Sequence, residues 1–161
     1  MRKVALITDG WRRLFTYAWP AGILQRIRET GEDVNLYIFN STGNWSRDAG
    51  YNRAEYNIYN LPELSDFDGI ILELNNISSP AVLADVISNA KRSGRPVVSI
   101  ANELGDFYYV GIDNYSAMKQ VIAHLHEVHD CKKFWLLVGA QDNYESSCRL
   151  QGMLDYAKEH K

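Results

Sequence analysis

What most restricts the fold of this chain is an alternation. Short runs rich in β-branched and apolar residues are separated by longer stretches with helical spacing, and that rhythm predicts parallel strands joined by crossover helices. Lys3 to Thr8 (KVALIT), Asn35 to Phe39 (NLYIF), Gly69 to Leu74 (GIILEL), Pro96 to Ala101 (PVVSIA), Tyr108 to Ile112 and Lys133 to Val138 read as strands. The first is apolar at successive positions, as expected of a strand covered on both faces. Between them, Tyr17 to Thr30 carries Ala18, Ile23, Leu24 and Ile27 at helical spacing, with Pro20 expected in the first turn and Gly31 as the stop. Ser79-Pro80 caps and opens a helix to Arg92 that Gly94 closes. Met118, Val121, Ile122, Leu125 and Val128 mark one face of a helix capped by Asp113 or Asn114, and Tyr144 to His160 forms the last helix. Arg47 to Asn60, with Ser46 as a cap, is a weaker helix because of Gly50 and its many tyrosines. The expected fold is α/β: three layers, with a mostly parallel sheet flanked by helices.

Composition narrows the class. With 161 residues, 46% of them hydrophobic and 23% charged, the chain can bury an ordinary core. No apolar run approaches the roughly 20 residues that span a bilayer. Met1-Arg2-Lys3 and the short run that follows lack the features of a secretory signal, and two cysteines, Cys131 and Cys148, suit a reducing compartment, so a cytoplasmic location is expected. A net charge of -3 gives no general attraction to nucleic acid. Aromatics, at 12% with 10 Tyr and 4 Trp, exceed what a small core usually needs.

Several chemistries are excluded by their motifs. There is no G-x-G-x-x-G after the first strand, no G-x-x-x-x-G-K-[ST], no G-x-S-x-G and no zinc-protease motif. A phosphoacceptor site would need paired acids after the first strand, where Asp9 stands alone, and the third strand offers only Glu73 within it. Among metal-like groups, His126 and His129 with Cys131 beyond them are the nearest to a zinc set, alongside His124, but no second ligand pair follows at a recognisable spacing. Histidine at a helix end also suits the dipole there. Neither a metal nor a cofactor is expected.

Open α/β sheets bind ligands beyond the carboxyl ends of their strands. There this sequence places Asp9, Trp11 and Arg12, then Asn40 and Ser41, Asn75 and Asn76, Asn102 and Glu103, and Asp113. Asparagine carries donors and acceptors together, which suits hydroxyl-rich ligands, although it also forms turns. The stretch Trp11-Arg12-Arg13-Leu14-Phe15 with Tyr17 and Trp19 reads as a stacking wall for a planar or sugar-like ligand or, alternatively, as a subunit contact. Asp113 is also positioned as an N-cap.

Val4 to Asp9, Asp68-Gly69-Ile70-Ile71-Leu72, Arg95-Pro96-Val97-Val98, Val110-Gly111-Ile112-Asp113-Asn114, His124-Leu125 then His129 with Lys132-Lys133-Phe134, and Arg149-Leu150-Gln151-Gly152 follow one another across nearly the whole chain. In that order they resemble the lactose and galactose repressor family, which shares the type I periplasmic binding protein fold. The resemblance implies a non-catalytic sensor whose two α/β lobes close over a small polar ligand, sugar- or nucleoside-like, within a homodimer. Carried over by position, its ligand contacts fall on Asp9, Trp11, Arg12, Asn40, Asn75, Asn102, Asp113 and Arg149. It further implies that residues 1–140 form the sensing subdomain and that residues 141–161 lead into a second one. The family's DNA-binding helices would precede the first strand, which here begins at Lys3, so operator binding by this chain is not expected. Thr8-Asp9-Gly10-Trp11-Arg12-Arg13, Gly43-Asn44-Trp45-Ser46 and Glu55-Tyr56-Asn57-Ile58 look more like cytosolic sensors joined to a diguanylate cyclase (GGDEF) output domain. A sugar-responsive transcriptional regulator and a small flavodoxin-like enzyme acting through Asp9 and Glu103 are the alternatives.

Overall fold

A computed structural model describes residues 1–10, 14–42, 46–139 and 143–160, with side chains from Tyr17 onward in the second stretch. Among these residues, five strands and five α-helices follow in the order β1 (Arg2–Asp9), α1 (Leu14–Thr30), β2 (Val34–Ser41), α2 (Ala49–Glu55), β3 (Gly69–Glu73), α3 (Pro80–Arg92), β4 (Val97–Ile100), β5 (Tyr108–Val110), α4 (Asn114–Glu127) and α5 (Tyr144–Glu159). Two 3-10 turns, Tyr56–Asn60 and Leu64–Asp66, join α2 to β3. The chain divides into two compact units, Met1–Val110 and Gly111–Lys161.

The first unit is a wholly parallel sheet in the order β2-β1-β3-β4-β5. β1 lies between β2 and β3, which explains its unbroken apolar run: Ala5, Leu6 and Ile7 are all buried. The register sets Ala5 beside Tyr37 and Ile70, and Ile7 beside Phe39 and Leu72. These side chains share one face. There they join Tyr56, Tyr59, Leu64 and Phe67 from the connecting turns and Val86 and Ala90 from α3 in a single core. Phe67 meets the rings of Tyr37 and Phe39 edge-on at 5.5 and 6.0 Å, a preferred aromatic geometry. Gly31 and Gly94 follow α1 and α3 with φ of 65° each, a left-handed turn that glycine makes without strain.

Three local readings are corrected. Pro20 lies inside α1 and not in its first turn, because the helix begins three residues earlier, at Leu14. The cap of α2 is Asp48, whose carboxylate accepts from Gly50 N at 2.7 Å, while Ser46 instead holds Asp48 N at 3.0 Å. Most consequentially, the expected sixth strand at Lys133 to Val138 is absent: that run has no ladder partner among the described residues, and Trp135 and Leu137 are fully exposed. β-propensity needs a neighbouring strand to become a strand.

The second unit is a helix pair. Asp113 caps α4, accepting from Ser116 N at 2.9 Å, and Asn143 caps α5, accepting from Ser146 N at 2.9 Å. Gly152 lets the helices approach closely: a Cβ there would sit 2.4 Å from Tyr115 O. Tyr115 Oη donates to Asp155 at 3.3 Å, and Lys119 Nζ to Glu159 at 2.7 Å.

Candidate functional site

The strand order 2-1-3-4-5 places a topological switch point between β1 and β3, where the chain's crossovers leave in opposite directions; ligands of open α/β sheets bind at such points. The side chains there are polar. Thr8, beside Asn40 and Glu73 in the ladder, donates to Glu73 Oε2 at 2.8 Å on one face of the sheet. Asp9, one residue on, is paired with Ser41 and points to the other face; both are fully buried. Asn76 Nδ2 donates to Asp9 O at 2.9 Å and so ties the loop after β3 to the end of β1.

Two tyrosines lie against this edge. Tyr59 Oη donates to Thr8 O at 2.9 Å, and burial, reinforced by the Asp9 carboxylate, pushes its phenol far above its ordinary range. Burial likewise raises Tyr56, although the Ser78 hydroxyl opposes the shift. Both phenols therefore stay neutral at physiological pH. They belong to the segment that sequence reasoning left weakest, and the signal for them was the Tyr56-x-x-Tyr59 spacing, which puts both rings on one side of a tight turn.

Of the expected contacts in this unit, Asp9, Asn40, Asn75 and Asn102 all fall at or just beyond strand ends, in agreement with the sequence. Their environments differ. Asp9 is sealed, whereas Asn75 and Asn102 are half-buried. The Asn40 Oδ1 atom is enclosed without a hydrogen-bond partner among the described residues. Asn102 uses its carbonyl to accept from Ser99 Oγ at 2.6 Å, just after Ala101 at φ 63°. Trp11 and Arg12 lie outside the described residues. An open groove of about 360 Å³ lies elsewhere, lined by Asn60, Glu63, Ser65, Asn89, Arg92 and Ser93 near the start of β3 and the end of α3.

The other two expected contacts lie in the second unit. Arg149 donates from Nη1 to Asn114 Oδ1 at 2.8 Å and from Nη2 to Ser146 Oγ at 3.3 Å. Asn114 in turn donates to Ile112 O at 3.3 Å and Glu145 Oε1 at 3.4 Å, so its amide is oriented from both ends. Sequence reasoning named Asn114 only as a possible cap; its grip on Arg149 across 35 residues left no local signal.

Asp113 is exposed, and its hydrogen bond from Ser116 N holds its carboxyl below the usual carboxylate range. A lowered folded value means that the stabilisation is present above the ordinary carboxylate pKa and lost as pH falls through the folded one. Asp113→Asn keeps a capping acceptor but removes the charge, so its loss of urea midpoint between pH 7 and pH 3 is expected to be smaller than that of the unaltered protein. Equal losses in the two proteins would refute this.

No family model matches the sequence, and no curated protein matches it. Solved structures do. A periplasmic binding protein/LacI transcriptional regulator from Alkaliphilus metalliredigens, complexed with D-xylulofuranose, aligns over 99% of this chain and 53% of its own with TM-score 0.67 and 18% identity. GanP, a glucose-galactose binding protein from Geobacillus stearothermophilus, aligns over 98% and 54% with TM-score 0.68 and 20% identity. The Escherichia coli transcriptional repressor ascG aligns over 99% and 55% with TM-score 0.63 and 17% identity. The chain thus has the α/β fold of these binding proteins and regulators and spans about half their length.

Proposed function

We propose that this chain is the amino-terminal, ligand-sensing half of a two-lobed regulatory protein and that its ligand is a sugar or a similarly hydroxylated molecule. The observation that carries this reading is the switch point between β1 and β3, where Asp9, Asn40 and Asn75 stand at or just beyond the strand ends in a fold also seen in sugar-binding proteins and regulators. Amide and carboxylate side chains at fixed strand ends recognise hydroxyls by paired donor and acceptor contacts. In this reading Asp9, Trp11, Arg12, Asn40, Asn75, Asn102, Asp113 and Arg149 touch the ligand, and residues 141–161 lead into the second lobe.

Such a domain performs no chemistry. Its ligand binds the closed form better than the open one and shifts the population between them. The output is either a transcriptional regulator or a diguanylate cyclase, acting in the cytoplasm as a homodimer. The resemblance at Thr8-Asp9-Gly10-Trp11-Arg12-Arg13 supports the cyclase, and the similarity to ascG supports the regulator.

Thermal unfolding of the full-length protein with D-allose, D-xylulose, D-galactose and adenosine tests the reading. A binder at 100 times its Kd adds about 2.7 kcal/mol to stability, and that gain is expected to disappear in Arg149→Ala. A panel with no shift, or a shift that Arg149→Ala leaves intact, would remove the assigned contacts.

A further inference from the structure

The end of α4 brings together two histidines that the sequence holds apart. On a continuous helix, residues five apart lie roughly 140° around the axis and cannot share a ligand. Here α4 stops at Glu127. Val128 N closes onto His124 O at 3.0 Å, Asp130 takes φ 52°, and Cys131 N reaches back to Leu125 O at 3.1 Å. This bond over six residues, with the left-handed Asp130 before it, turns the chain back on itself after the helix. It folds His129 back over the last turn, and His129 Nε2 then lies 3.1 Å from His124 Nε2 with the rings nearly perpendicular.

The sequence suggested a different grouping, His126 with His129 and Cys131. His126 is turned away instead: its Nδ1 pairs with Tyr156 Oη at 3.1 Å, and that hydroxyl donates to Glu127 Oε1 at 3.0 Å. Cys131 directs its thiol at His129 O, 3.8 Å away. Asp130 is held by Lys132 at 2.5 Å. What remains is a pair of exposed imidazoles whose Nε2 atoms lie within hydrogen-bond distance of each other.

We propose that His124 and His129 chelate a divalent transition-metal ion at the C-terminal end of α4. Imidazole binds such ions at about 2.0–2.1 Å, and two bonds of that length with nitrogens 3.1 Å apart meet at roughly 100°. That angle fits both tetrahedral and octahedral coordination. Among the described residues no third His, Cys, Asp or Glu closes on the pair, so water fills the remaining positions. Borderline ions that favour imidazole, Cu²⁺, Ni²⁺ and Zn²⁺, are the class selected; Mg²⁺ and Ca²⁺, which take oxygen ligands, are not. A bound ion would lock the turn that connects α4 to the exposed run at Lys133 to Val138. None of the residues assigned to the sugar site takes part.

The test is calorimetric titration of the chelator-treated full-length protein with NiCl₂, ZnCl₂ and MgCl₂. One Ni²⁺ or Zn²⁺ per chain is expected, with no Mg²⁺ heat. His124→Ala and His129→Ala should each weaken Ni²⁺ binding at least tenfold, while His126→Gln and Cys131→Ser retain it. Circular dichroism of each variant establishes that it is folded, and broadening of the His124 and His129 ring signals by Cu²⁺ locates the ion independently. No binding in the unaltered protein, tenfold weakening in only one of the two alanine variants, or an equal loss in His126→Gln or Cys131→Ser would overturn the proposal.

Discussion

Leu72→Ala is expected to lower the unfolding free energy by about 2–5 kcal/mol. Leu72 is fully buried in β3, the centre strand of the sheet, beside Ile7 on β1 and Ser99 on β4, in the core that Tyr59 and Val86 cover. Its neighbours come from strands hydrogen-bonded on both sides, so they cannot close over the cavity, and the cost should fall in the upper part of that range. Against a typical stability of about 5–15 kcal/mol, this is a large fraction. Urea denaturation checks it through a lower midpoint at an unchanged slope. Leu61→Ala is the control: Leu61 is 71% exposed, and its change should stay within about 0.5 kcal/mol. Similar losses in the two variants would show that the core has been wrongly located.

Gly152→Val should unfold the helix pair of the second unit. Ordinarily a glycine inside a helix is a liability of about 1 kcal/mol relative to alanine. Here the sign reverses. A Cβ would stand 2.4 Å from Tyr115 O and 3.2 Å from Tyr115 C, and backbone atoms cannot rotate away as a side chain can. The helices must part, and with them go the contacts of Tyr115 with Asp155 and of Lys119 with Glu159. Forced overpacking costs about 1–3 kcal/mol, and the branched valine should lie at or above the top of that range. Amide exchange in α4 and α5 should rise sharply while that of β1 and β3 stays slow. A Gly152→Val protein whose α4 amides remain protected would contradict the close approach.

How much of this the chain revealed beforehand depended on whether the cause was local. β1 was legible because a strand buried on both faces must be apolar at consecutive positions, and Val4 to Ile7 are. The ends of α1 and α3 were legible because Gly31 and Gly94 are needed in left-handed turns. The strand at Lys133 to Val138 was misread for the opposite reason: its residues have the right propensity, but pairing depends on a neighbour that the run itself does not encode. The candidate site divides in the same way. Strand-end residues such as Asn40 and Asn102 followed from knowing where strands stop. The burial of Asp9, the seating of Tyr59 against it and the Asn114 to Arg149 link are set by contacts across 32 to 67 residues, which local patterns do not encode. The approach of His129 to His124 had no helical spacing to announce it, because it forms beyond Glu127, where the helix has ended.

The central position of β1 has a consequence for how the protein is made. β1 is the first of these five strands to be synthesised, yet its second neighbour, β3, arrives only with Gly69–Glu73. The bond from Asp68 N to Lys3 O spans the same interval. Until then, an apolar strand has one open edge, and local helix formation cannot cover it. Parallel pairing over long separations is slow because loop-closure entropy is lost before the contacts form. The nascent chain therefore carries its stickiest segment for the longest time, and refolding yield should be governed by protein concentration during the steps before β3 docks.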